Sequence, residues 1–120
     1  MKIPVDIWLR GQHVATTASI EGVMRQPNTW TDDDVQTVLE GMLQMMHRLK
    51  HPQDEAPPPI ALRGLSWIVN PYEEGGVVIA IEIAMGAAIA GPFEIDQNAL
   101  ETMVARVMAR PTAPPSSAIH

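Results

Sequence analysis

The chain has 120 residues, a formal net charge of −6, 46% hydrophobic residues and no cysteine. This length suits one folded domain, and the apolar content is too high for a disordered chain. The negative charge argues against nucleic acid and anionic membranes as partners, because both attract Lys and Arg, and it fits a basic protein partner better. The absence of cysteine excludes disulfides, thiolate metal sites and thiol nucleophiles.

The chain carries no pattern typical of a targeting or membrane segment. Asp6 and Arg10 interrupt the N-terminal stretch where a signal peptide would need an unbroken apolar run. The most apolar run, residues 77–90, contains Glu82 and is too short to span a bilayer. We therefore expect a cytoplasmic protein. The excess of Arg over Lys, with abundant Ala and Pro, indicates a bacterial or phage genome rich in GC.

Residues 3–20 have the period-two pattern of a β-hairpin. The apolar positions of the first strand are Ile3, Val5, Ile7 and Leu9. Gly11-Gln12 suits a type II′ turn, because glycine accepts the positive φ of its first central position. The pairs that this turn predicts are Arg10–His13, Leu9–Val14, Ile7–Thr16, Val5–Ala18 and Ile3–Ile20.

The next element is a helix that begins after Thr31 and ends before Pro52. Thr31 is a good N-cap, and Asp34 follows at the position of a capping box. Trp30 precedes the cap and can pack on Val35 as a hydrophobic staple. The predicted buried stripe is Val35, Val38, Leu39, Met42, Met46 and Leu49.

The remaining chain predicts a second hairpin, a second helix and a tail. The hairpin runs through residues 60–70, a turn at 71–76 and one long return strand at 77–90, in which Gly86 marks a bulge or bend. Asp96 caps the second helix. The apolar face of that helix carries Ala99, Leu100, Met103, Val104 and Val107. The Pro- and Ser-rich residues 110–120 predict a disordered tail after a single domain at 1–109. The predicted fold is α+β, a mainly antiparallel sheet of about four strands in ββαββα order, with two amphipathic helices on one face.

One face of the predicted sheet is unusually apolar for a solvated surface. Alternation along 77–90 places Val77, Ile79, Ile81, Ile83, Met85 and Ile89 in the core. The opposite face then carries Val78, Ala80, Ala84, Gly86, Ala88 and Ala90, with Glu82 as its only charge. Pairing of Ile68 near Ile79 would add Leu65, Trp67 and Val69 to this face and bring Arg63 near Glu82. The predicted interface residues are Trp8, Arg63, Leu65, Trp67, Val78, Ala80, Glu82 and Ala84.

Three interpretations of this face are open. Residues 21–27 or the tail could fold over it and make it ordinary core. A symmetric homo-oligomer could bury it. A different protein or an apolar ligand could bind there, and Trp and Arg are common hot-spot residues at such interfaces.

The side chains that could carry chemistry have simpler structural explanations. His47 and His51 are one helical turn apart and could hold a metal ion, but we expect them to face solvent without one. Asp32, Asp33 and Asp34 point about 100° apart on a helix and serve its cap and dipole instead. We therefore predict no metal site, no cofactor and no catalytic residue.

The sequence favours a small non-enzymatic binding or assembly module that self-associates through the apolar sheet face. No catalytic pattern favours an enzyme, and the residues leave that function open. The alternative is a small enzyme, or an enzyme subunit, whose site is completed between protomers. The residues available for such a site are His13, His47, His51 and Glu82.

Overall fold

A computed structural model describes residues 2–53 and 65–110 of the chain. The elements in chain order are β1 (Ile3–Leu9), β2 (Thr16–Ile20), a 3-10 turn (Pro27–Thr29), α1 (Asp32–Lys50), β3 (Ser66–Pro71), β4 (Val77–Ile83), β5 (Gly86–Phe93) and α2 (Gln97–Ala109). The sheet has five strands in the order β2-β1-β5-β4-β3, with every neighbouring pair antiparallel. The predicted α+β fold is confirmed, with five strands instead of about four. Residues 60–64 of the predicted strand and residues 111–120 of the tail predicted at 110–120 lie outside the described residues, whereas Arg110 is described and donates to Asp33 Oδ1.

The first hairpin has the predicted register but a different turn. Ile3 pairs with Ile20, Val5 with Ala18 and Ile7 with Thr16, as the alternation indicates. The predicted pairs Arg10–His13 and Leu9–Val14 are wrong. The turn closes instead through Gln12 N–H and Leu9 C=O at 3.0 Å, and Arg10 N–H bonds Met85 C=O at 2.9 Å. The end of β1 follows β5 rather than β2, because Leu9 pairs with Gly86.

The start of α1 is the capping box that the sequence predicts. The Asp34 backbone N–H donates to Thr31 Oγ1 at 3.4 Å, and the Thr31 N–H donates to Asp34 Oδ2 at 3.0 Å. These reciprocal bonds satisfy backbone donors that the first helical turn leaves without partners. The buried residues of α1 are Val35, Val38, Leu39, Met42, Leu43 and Met46. Leu49, predicted to be buried, is 37% exposed.

Both helices pack on the same face of the sheet. α2 begins at a cap in which Asp96 Oδ2 accepts from Ala99 N–H at 3.0 Å. Its buried residues are Leu100, Met103, Val104, Val107 and Met108. α1 lies against β1, β2 and β5, whereas α2 lies against β3 and α1. One hydrophobic core therefore fills the space between the helix layer and the sheet.

The long return strand predicted at 77–90 is two strands. β4 ends at Ile83, the chain turns through Ala84 and Met85, and β5 begins at Gly86. A Cβ on Gly86 would lie 2.1 Å from the Trp8 carbonyl oxygen, so only glycine lets β5 approach β1 here. The reversal changes which face each later residue occupies.

The predicted faces of the second half of this segment are consequently wrong. Ala88 and Ala90 are fully buried on the helix side, opposite Ile81 and Ile79. Ile89, predicted for the core, lies beside Ala80 on the other side of the sheet. A two-residue turn shifts the alternation by one residue, whereas uninterrupted alternation along one strand at 77–90 places Ile89 on the same face as Ile79.

Candidate functional site: the outer face of the sheet

The described helices leave one side of the sheet uncovered, and we call this side the outer face. The strand register arranges its side chains in rows across the sheet. One row contains Trp8, Ala87, Glu82 and Ser66. The next row contains Asp6, Ile89, Ala80 and Ile68. Val78 follows on β4, opposite Asn70.

The outer face is apolar for a surface that no other described residue covers. Trp8 is 38% exposed and Ile68 is 50% exposed. A shallow groove of about 420 Å³ crosses the face over Ile68, Ala80 and Ile89. An exposed sheet face usually carries polar side chains, so the outer face is unusually apolar for the surface of a sheet.

The structure brings together only part of the predicted interface. Trp8, Val78, Ala80 and Glu82 lie on the outer face, as expected from the alternation. Ala84 lies in the β4–β5 turn instead of on the face. Arg63 lies outside the described residues.

Leu65 and Trp67 were predicted for the outer face, and this placement is wrong. Both side chains pack against the core on the helix side. The reason is the β3–β4 register, in which Ile68 pairs with Ala80 and Val69 pairs with Ile79. A shift of one residue in a strand moves every side chain to the opposite face.

The β3–β4 register and the reversal before Gly86 explain which outer-face residues the sequence did not reveal. Ile68 and Ile89 are the large aliphatic residues of the face. The sequence pattern instead predicts Ile89 for the core, and it pairs Ile68 with the core residue Ile79. The signal that could have found Ile89 was Gly86, had it been interpreted as the start of a strand after a tight turn. Nothing comparable marks Ile68, because its facing depends on pairing with a distant strand.

The charges on the outer face are acidic. Asp6 accepts a hydrogen bond from Thr17 Oγ1 at 2.7 Å, so its carboxylate has a partner within the sheet. Glu82 forms no ion pair within the described part of the chain. It lies in the row nearest the β4–β5 turn, at the end of the face, where water can reach its carboxylate.

The groups considered for a composite enzyme site lie on separate elements. His13 is in the loop after β1, and Glu82 is on β4. The His47 and His51 rings lie at the C-terminal end of α1, with centroids 4.8 Å apart. Within residues 2–53 and 65–110, no group of three or more His, Cys, Asp or Glu residues could hold a metal ion. In those same ranges, no helix has the length and apolar character needed to cross a membrane.

No family model matches this chain, and no curated protein or solved structure matches it either.

Proposed function

We propose that this protein is a small assembly module that pairs with a second copy of itself through the outer face. The observation that supports the proposal is the exposure of Trp8 and Ile68 on a face whose centre is made of Ala80 and Ile89. Burying apolar surface contributes about 25 cal/mol per Å² removed from water, which favours covering such a face.

The arrangement of large and small side chains favours a second copy as the partner. A two-fold axis parallel to the strands, between β4 and β5, places Ala80 of one copy against Ile89 of the other. The same axis places Trp8 against Ser66. Ile89 and Trp8 thus meet small side chains, and each contact occurs twice, as in any isologous interface. The same axis places Ile68 against Asp6, whose carboxylate already accepts a hydrogen bond from Thr17 Oγ1. This geometry keeps the strands of the two sheets close to the aligned packing common in β-sandwiches.

The size of the face sets the expected strength of the pairing. An axis between β4 and β5 overlaps four of the five strands, which at a spacing of about 4.8 Å and a length of about 20 Å present roughly 380 Å² in projection. A specific interface of standard size covers about 800 Å² per partner. We therefore expect a reversible dimer rather than an obligate one.

The test compares charged substitutions on and away from the outer face. Ile68→Lys places a charge at a half-exposed position, and Ala80→Arg places one at the centre of the face. Ala105→Arg on the exposed side of α2 is the matched control. Analytical ultracentrifugation over a concentration series should show stronger self-association for the wild type and the control than for both face variants, which lose the outer-face contact because an unpaired charge would be buried in it.

Circular dichroism reports whether each variant keeps its fold. The proposal predicts a native spectrum for Ile68→Lys, and the same melting temperature as the wild type when both are diluted until they are monomeric, because dimerisation itself stabilises the fold. A wild-type protein whose association does not differ from that of Ile68→Lys at the highest soluble concentration would refute it.

A further inference from the structure

The two edges of the sheet differ in how they are protected. At the β3 edge, the Gln97 side chain donates to the Val69 carbonyl at 3.1 Å. Pro71, two residues further on, has no N–H to offer at that edge. A proline and a capped carbonyl are ordinary means of blocking strand addition. Among the described residues, the β2 edge has no proline and no carbonyl that a side chain bonds.

The hydrogen-bond pattern of β1 shows which groups of β2 are open. Arg10 N–H bonds the Met85 carbonyl, on the β5 side. The backbone N–H and C=O groups of successive residues point to opposite sides of a strand. In β1, those of the even-numbered residues therefore point to β5, and those of the odd-numbered residues point to β2. Val5 therefore exchanges hydrogen bonds with its partner Ala18. Thr17 and Ser19 then direct their N–H and C=O groups away from β1, and no described residue bonds to them.

A groove follows this open edge. It measures about 460 Å³ and separates the end of β2 from one flank of α1. The α1 residues that line it are Thr37, Glu40, Gly41, Gln44, Met45 and Arg48. Gly41 permits the close contact of α1 with β2, since a Cβ there would lie 2.9 Å from Ile20 Cγ2. Backbone N–H and C=O groups of β2 that point away from β1 therefore lie beside long polar side chains of α1.

We propose that the β2 edge pairs antiparallel with the β2 edge of a second copy, so that one sheet continues across both molecules. Pairing centred on Ala18 brings the N–H and C=O groups of Thr17 to those of Ser19 in the second copy. The two-fold axis of this contact is perpendicular to the sheet and places the two α1 helices side by side, also antiparallel.

Charge complementarity along α1 favours a second copy rather than another partner. Glu40 and Arg48 each lie four residues from Gln44, on the flank that lines the groove. Antiparallel α1 helices related by an axis near Gln44 oppose Glu40 of each copy to Arg48 of the other. Arg48 forms no ion pair within the described residues, and Glu40 accepts one hydrogen bond, from Gln36 Nε2 at 3.0 Å.

This contact is separate from the outer-face pairing and does not depend on it. The outer-face axis lies in the plane of the sheet, whereas the edge axis is perpendicular to it. A variant that removes one contact therefore leaves the other available. If both form, the protein builds assemblies larger than a dimer.

The test uses a charge swap in the Ile68→Lys background, where the outer face no longer associates. Arg48→Glu alone and Glu40→Arg alone should each weaken edge dimerisation by about tenfold, because opposed charges become alike. The double variant Glu40→Arg/Arg48→Glu restores the opposite-charge pairs and should recover the dimer. Glu101→Arg, exposed on α2, is the control for a change of net charge.

A backbone variant tests the strand pairing itself. Thr17→Pro removes an N–H that points to the open edge, and it should abolish the dimer of Ile68→Lys protein while circular dichroism stays native. If Ile68→Lys protein is monomeric at the highest soluble concentration, or the charge swap fails to restore association, the edge proposal is wrong. The outer-face proposal is judged separately, from the loss of association that Ile68→Lys causes in the wild type.

Discussion

Arg106, in the last turn of α2, holds Asp32 at the start of α1 through two hydrogen bonds. Arg106 Nε lies 2.8 Å from Asp32 Oδ2, and its Nη2 lies 2.9 Å from Oδ1. Arg110 extends the contact by donating to Asp33 Oδ1 at 3.0 Å. The carboxylates lie at the positive end of the α1 dipole and Arg106 lies at the negative end of the α2 dipole, so each charge is placed favourably on its own helix.

This ion pair predicts an acid-sensitive contribution to stability. The hydrogen bond from Arg106 lowers the pKa of Asp32 below its ordinary value of 3.8. A lowered folded-state pKa stabilises the protein above the unfolded pKa, and this stabilisation is lost as pH falls through the folded value. The difference in unfolding free energy between wild type and Asp32→Asn should therefore shrink below about pH 4. Urea denaturation at a series of pH values measures it.

The same comparison in high salt provides a second check. The pair is solvent-exposed, so 0.5 M NaCl should reduce the effect of Asp32→Asn at pH 7 through screening. Glu101→Gln, on the exposed side of α2, is the control for loss of a carboxylate. A pH-independent difference between Asp32→Asn and wild type would contradict the assignment.

The capping box of α1 should contribute measurably to stability. Thr31→Ala removes the oxygen that accepts from Asp34 N–H and should lower the free energy of unfolding by about 1 kcal/mol. Thr102→Ala removes a threonine hydroxyl from the exposed face of α2, where it makes no hydrogen bond with a described residue. Chemical denaturation measures the unfolding free energy of both variants and so distinguishes loss of the cap from loss of any threonine hydroxyl. Equal decreases in the two variants would contradict the capping role.

The side of α1 that faces the core predicts different losses of unfolding free energy for substitutions at nearby positions. Met42 is fully buried, whereas Gln44 lines the groove beside β2. Met42→Ala should cost roughly 2–5 kcal/mol because it leaves a cavity in the core. Gln44→Ala should cost less than about 0.5 kcal/mol. Equilibrium denaturation measures both changes in unfolding free energy. Similar values would mean that a different side of α1 faces the core.

The β4–β5 turn predicts a strong penalty at Gly86. Gly86→Ala would place a Cβ 2.1 Å from the Trp8 carbonyl oxygen, and β1 and β5 would have to separate. We expect a loss of about 3 kcal/mol or more, at the upper end of overpacking effects. Gly75→Ala is the matched control, because Gly75 has a φ of 107° but no atom within 4 Å of the added Cβ.

Thermal melting distinguishes the two glycines. Gly75→Ala should show only the modest cost of a left-handed backbone conformation at a residue with a side chain. Similar melting temperatures for the two variants would mean that β5 does not approach β1 as closely as the structure shows.

The sequence by itself determined the local elements whose signals lie within a few residues of each other. The capping box of Thr31 and Asp34, the Asp96 cap and the alternation of Ile3, Val5 and Ile7 all act over one or two turns of chain. Their hydrogen bonds and burial patterns follow from neighbouring residues, so the helices and the register of the first hairpin could be predicted. The apolar character of the outer face also followed from composition, with Trp8 and Ala80 assigned correctly.

The tertiary structure decided which other residues share that face. Ile68 faces outward because β3 pairs it with Ala80, and Ile89 faces outward because the chain reverses before Gly86. Side chains alternate with a period of two, so a one-residue change in register or a tight turn transfers a whole strand to the other side. That choice depends on contacts with distant strands, such as the approach of Gly86 to Trp8. Local patterns carry no information about such contacts.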